Sequence, residues 1–167
     1  MNFNDKDMAN ALSQAAKSGA DTRLVVNKTA LTKYGIPLLK QMAQDGVQVY
    51  VFYPAQGSRL IQHKKELIRN DLYVISNANF TDEGDSQRNL ETYFPGDAQL
   101  VADAKVDFER VQNRCVSWEK ALELYEADKE KAAKKKKKDK DLKKRKASDQ
   151  GENPGEKRPT KKVKTVQ

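Results

Sequence analysis

Thr22-Arg23-Leu24-Val25-Val26-Asn27 and Val47-Gln48-Val49-Tyr50-Val51-Phe52-Tyr53 are two short β-branched runs. They frame the stretch from Thr32 to Asp45, in which Tyr34, Ile36, Leu38, Leu39 and Met42 recur at helical spacing. Gly46 stops the helix between them and Pro54 stops the second run. Strand, helix, strand in that order predicts a β-α-β unit, because two parallel strands need a long connection, and such connections cross over right-handed.

Working outward, Asp7 to Lys17 places Met8, Ala11, Leu12, Ala15 and Ala16 on one helical face, and Ser18-Gly19-Ala20 ends it. Beyond Pro54, Arg59 to Ile68 and Leu72 to Ser76 flank the turn pair Asn70-Asp71 and predict two antiparallel strands joined tightly. Asn77 to Arg88, rich in Asn, Asp, Gly and Ser, reads as a surface loop, and Asn89 to Phe94 as a last strand. Ala98 to Tyr125 reads as one helix with a broken apolar face of Leu100, Val101, Ala104, Val106, Phe108, Val111 and Trp118. Helical propensity continues from Glu126 to Lys146 without an apolar face, and from Ala132 the chain is low-complexity lysine. Such a segment cannot bury enough apolar surface to offset its ordering entropy, so a frayed helix followed by disorder is expected. The expected organisation is an N-terminal helix over 1–20, a mixed α/β domain over 21–125 with a mainly parallel sheet flanked by helices, and a basic tail over 126–167.

The charge is divided unevenly. Residues 131–167 hold 16 Lys and Arg against 5 Asp and Glu, and residues 1–130 hold 16 against 19, so the body is near −3 and the tail near +11. The positive excess therefore describes an extension suited to polyanions rather than the fold. Cys115 is the single cysteine and His63 the single histidine. No intramolecular disulfide can form, and one Cys with one His cannot supply the roughly four ligands of a zinc site. No tight acidic motif marks a magnesium site, and no Gly-rich phosphate or dinucleotide loop is present. The polar, acidic start and the lack of a long apolar run predict no signal peptide and no membrane span, and with them an intracellular home.

Chemistry concentrates between His63 and Thr81, in His63-Lys64-Lys65-Glu66-Leu67-Ile68-Arg69-Asn70 followed by Ser76-Asn77-Ala78-Asn79-Phe80-Thr81. Residues i and i+2 of a strand share a face, so His63 and Lys65 are expected to project together while Lys64 points away. The stretch resembles the phospholipase D signature, H-x-K-x4-D with G-S-x-N beyond it. His63, Lys65 and Asn79 match; Asn70 stands for the Asp and Ser76-Asn77 for Gly-Ser. Gly46-Val47-Gln48-Val49-Tyr50 is similar to the family's strand leading into the motif, and Asn89-Leu90-Glu91 falls where many members carry N-x-E.

The resemblance implies a phospholipase D-like half domain. It assigns His63 as the nucleophile that forms a phosphohistidine, with Lys65 and Asn79 holding the non-bridging oxygens and Asn70, Asn77 and Glu91 in support. It implies no metal and no other cofactor. It also implies two such motifs per site, so one histidine per chain calls for a homodimer or a second motif-bearing chain. The chain is similar to the second half of a longer two-motif protein. Outside the resemblance, Asn77 and Asn79 are also ordinary hairpin and cap residues, and Trp118, Tyr125 and Phe108 read as core rather than as a base-stacking platform.

Lys134, Lys135, Lys136, Lys137 and Lys138 form an unbroken run, followed by Lys143, Lys144, Arg145 and Lys146 and by the cluster at 157–164. Clusters of this kind suit sequence-independent phosphate binding and nuclear localisation alike. Three functions follow from the whole: phosphodiester hydrolysis of nucleic acid in a dimer; a catalytically inactive module that binds nucleic acid through its tail; and a phospholipid-directed hydrolase or transferase.

Overall fold

The computed structural model describes residues 3–55, 58, 60, 63–76 and 91–149, with backbone only for residue 91 and for 141–149. The chain divides into two compact units, Met1–Glu126 and Ala127–Gln167. In the first, α1 (Lys6–Lys17) is capped by Asp5, whose carboxylate accepts from the Met8 amide at 2.9 Å. Strands β1 (Arg23–Asn27) and β2 (Gln48–Phe52) flank α2 (Gly35–Gln44). They pair in parallel from Arg23 opposite Gln48 to Asn27 opposite Phe52, the pairing expected of a β-α-β unit.

A second sheet is antiparallel throughout: β3 (Glu66–Arg69), β4 (Leu72–Ser76) and β5 (Glu91–Pro95). The β3–β4 hairpin turns on Asn70-Asp71, and Asn70 takes a positive φ of 46°, a conformation that Asn tolerates better than most residues. The mixed α/β architecture is as expected; among the described residues the strands form two three-stranded sheets, the first with one parallel and one antiparallel pairing.

The expected single helix from Ala98 to Tyr125 is two helices. The first, α3 (Ala98–Gln112), is followed by the two-residue strand β6 (Val116–Ser117) and by α4 (Trp118–Asp149). Strand β6 pairs with β2, Val116 opposite Val51, and completes the first sheet. Two residues give no alternation to read, and only β2, far away in sequence, supplies their partner. In the other hairpin arm β3 begins only at Glu66; the expected loop from Asn77 to Arg88 and the tail beyond residue 149 lie outside the described residues.

The main core joins α1, α2, the first sheet and the start of α4 through Ala9, Val26, Leu39, Met42, Val51, Trp118 and Ala121. Tyr34, counted in the apolar face of α2, is 69% exposed, with the Lys33 ammonium over its ring. The second sheet rests on α3 through a smaller cluster of Tyr73, Val101 and Ala104. Cys115 is half-buried; its thiol donates to the Val111 carbonyl at 3.2 Å, and burial pushes its pKa to about 11.

Gly35 opens α2 directly beneath the Ala30 carbonyl, where an added Cβ would collide with backbone. Gly35→Ala should therefore lower stability by about 2 kcal/mol or more, since main chain cannot give way as a side chain can. A urea titration followed by the fluorescence of Trp118, the only tryptophan, measures it.

Candidate phosphate site

Lys65 and His63 lie immediately before β3. The Lys65 carbonyl accepts from the Ser76 amide at 2.9 Å, so the hairpin ladder extends one pair past Glu66. Strand alternation then sorts the side chains. Lys65, Leu67, Leu72, Val74, Ser76 and Tyr93 share one face, and Glu66, Ile68, Tyr73 and Phe94 share the other, against α3. The first face, closed by Met8 of α1, lines a cavity of about 140 Å³ in which Lys65 and Ser76 are the polar walls.

Lys65 is only 5% exposed, and burial lowers its pKa. A lysine this enclosed normally has a carboxylate partner. Its hydrogen-bonding contact among the described residues is His63: Nζ lies 2.9 Å from Nδ1 and 3.0 Å from Nε2. Near-equal distances to both nitrogens rule out an in-plane hydrogen bond, because an in-plane atom at that range would overlap Cε1. The ammonium lies out of the ring plane, close to both nitrogens. The in-plane directions of both nitrogens are thus left unused by Lys65, and the ring itself is exposed.

Lys64 goes the other way, as the alternation requires. Its ammonium is 3.2 Å from Glu66 Oε1 and in contact with Asp107 Oδ2 on α3. The Asp107 contact is the main cause raising its pKa, and Lys64 in turn holds the Asp107 carboxyl below its usual range. The tie spans 43 residues and left no trace in the sequence.

The remaining candidates divide. Glu91 is the first residue of β5 and pairs with Ser76, which pairs with Lys65, so its backbone reaches the same end of the sheet. Asn77 and Asn79 lie outside the described residues. Asn70 is not brought to His63: it sits in the exposed turn at the opposite end of β3, roughly 16 Å from Lys65 at strand rise. A two-residue hairpin loop with a left-handed residue is what holds it there. No group of three or more His, Cys, Asp or Glu side chains converges on a metal site among the described residues.

The family model described as "Cardiolipin synthase, PLD-like domain" matches residues 1–112. The chain belongs to the phospholipase D-like family. Among solved structures, this phospholipase D-like chain is similar to Nuc, a phospholipase D family member from Salmonella typhimurium. Identity is 18%, coverage is 70% of this chain and 76% of that one, and the TM-score is 0.62. It is also similar to NucT from Helicobacter pylori, at 17% identity, 70% and 77% coverage and a TM-score of 0.58. At these identities the likeness concerns the fold. No curated protein matches the chain.

Burying Lys65 costs stability while the ammonium is charged. The folded protein holds that proton less tightly than the unfolded chain, so the penalty is full at neutral pH and fades as pH rises toward 10.5, the ordinary lysine value. Lys65→Met should accordingly raise stability at pH 7 by about 1 kcal/mol, an advantage that shrinks as the pH is raised to 10. Urea midpoints of the two proteins at pH 7 and pH 10 check both parts.

Proposed function

We propose that this phospholipase D-like protein hydrolyses phosphodiesters of nucleic acid through His63, in an assembly that brings two motifs together. One observation carries the reading: a buried ammonium with no carboxylate within ion-pair range among the described residues, set against the ring of the only imidazole in the chain. A cation so placed regains its lost solvation from an anion entering beside the ring, and a phosphate group offers both charge and acceptor oxygens.

In this mechanism a His63 ring nitrogen attacks phosphorus and the bond to the leaving oxygen breaks. Lys65, with Asn79, holds the non-bridging oxygens as charge grows on them. The leaving oxygen takes its proton from a second imidazole, supplied by another copy of the chain or by another motif-bearing chain. Water, deprotonated by that imidazole, then attacks the phosphohistidine; the P–N bond breaks and a phosphomonoester leaves. Purified protein with labelled oligonucleotides in EDTA should show cleavage, and His63→Ala should lose it by about 10³-fold or more. Solution mass should correspond to a dimer. Binding without cleavage would favour an inactive nucleic-acid module, and turnover of phospholipid vesicles a lipid substrate.

Nucleic acid is preferred as substrate because of the tail. Lys134, Lys135, Lys136, Lys137 and Lys138 are all exposed on α4. Five consecutive helical residues at 100° each pass the whole way round the axis, so the charge forms a sleeve and not a face. Lys143, Lys144, Arg145 and Lys146 continue along the same helix, and the cluster at 157–164 is proposed as a nuclear address. No described helix is long and apolar enough to cross a membrane. Truncation at Ala132 should weaken oligonucleotide binding and flatten its salt dependence by about 0.7 to 0.9 log units per lost phosphate contact. Binding isotherms from low to moderate salt measure the slope; an unchanged slope makes the tail an address alone.

A further inference from the structure

His63 is exposed, and residues 63 and 64 precede the strand that would otherwise hold them. Among the described residues, no backbone ladder bond fixes them; the first is the Lys65 carbonyl to the Ser76 amide. Lys64 supplies a side-chain tie at this point. Its ammonium meets Glu66 on β3 and Asp107 on α3 at once. Glu66 also accepts a hydrogen bond from Tyr73, which is buried on β4, and Asp107 lies in the field of Arg110 and Arg114. A continuous polar chain thus runs from β4 across β3 to α3, and Lys64 is the link that crosses from sheet to helix.

We propose that Lys64 is the positioning residue of the His63–Lys65 pair. By holding the middle residue of the triplet toward α3, it reinforces the alternation that the pleat sets and that turns its two neighbours to the opposite face. There the Lys65 ammonium enters the cavity and the His63 ring lies over it. Lys64 touches neither substrate nor reacting atoms. It acts through the main chain, on both neighbours together. The functional consequence rests on His63 and Lys65 acting on a phosphodiester; the positional one does not.

The tie is half-exposed, Lys64 at 45% and Asp107 at 40%, so breaking it should leave global stability nearly unchanged. Because His63 is the only histidine, its ring protons give one unambiguous set of resonances in the intact protein. Nuclear Overhauser contacts between the His63 ring and the Lys65 Hε protons should be present in the native chain. They should vanish in Lys64→Ala, weaken in Asp107→Asn and persist in Lys64→Arg, whose guanidinium can bridge two carboxylates. Urea midpoints should stay close to native in all three. In the cleavage assay Lys64→Ala should lower kcat by about 10-fold with KM changed less than about twofold, and Lys64→Arg should recover most of it. Contacts that survive unchanged in Lys64→Ala overturn the proposal, as does their loss with a matching fall in stability that Lys64→Arg does not rescue. If the native protein cleaves nothing, the resonance measurements still decide the positioning role, and the hydrolase reading alone is lost.

Discussion

An ammonium held out of water is the constraint around which this site is built. Lys65 and Lys64 are adjacent, chemically identical and oppositely placed: one is 5% exposed on the cavity side, and the other is paired with two carboxylates on the helix side. Nothing in their own chemistry separates them. The pleat does, because α3 covers one face of the second sheet and α1 contributes Met8 to the other. A register slip of one residue would exchange the two lysines. It would turn Lys64 into the cavity and Lys65 toward Asp107. Register is thus where sequence becomes chemistry in this molecule.

The two sheets are secured differently. The first is wrapped by a broad core that runs from Phe3 to Ala121, and its β1–β2 pairing is backed by α2. The second, which carries His63 and Lys65, meets α3 through a cluster in which Tyr73 packs on Val101 and Ala104 of the helix, with Ile68, Phe94 and Leu100 around them. The Tyr73 and Phe94 rings stack at 6.0 Å and supply much of that contact. Where apolar packing is thin, polar ties take a larger share in fixing orientation, although exposed ion pairs add little to global stability. A site on such an element can be loosened locally while the first sheet stays folded.

Legibility in the sequence followed the range of the interactions. The β-α-β unit, the Asn70-Asp71 hairpin and α1 rest on local periodicity and turn chemistry, and all three were readable. The break at Asn113-Arg114-Cys115 and the strand Val116–Ser117 depend on β2, more than sixty residues earlier, and were not. In the site, the shared face of His63 and Lys65 followed from spacing. Two other features did not: Lys65 ends up enclosed, which depends on Met8 and Tyr93 arriving from elsewhere, and Lys64 finds Asp107 on a helix 43 residues away. Asn70, which the motif places in support, is held at the far end of β3 by its positive φ and the two-residue loop.

The chain carries two populations of cations that answer differently to solvent. The lysines of the 134–138 run stand exposed on α4 in a sleeve without a preferred face, so their attraction for a polyanion falls once separations exceed the Debye length, about 10 Å at 0.1 M salt. Lys65 is enclosed, so its interaction with an anion is screened less and depends on fit more than on salt. On the proposed reading the sleeve raises the local concentration of nucleic acid without choosing where on it to act. The enclosed ammonium and the imidazole over it choose one phosphate. Capture should then be salt-sensitive and the chemical step much less so, a separation that follows from where the two sets of charges lie.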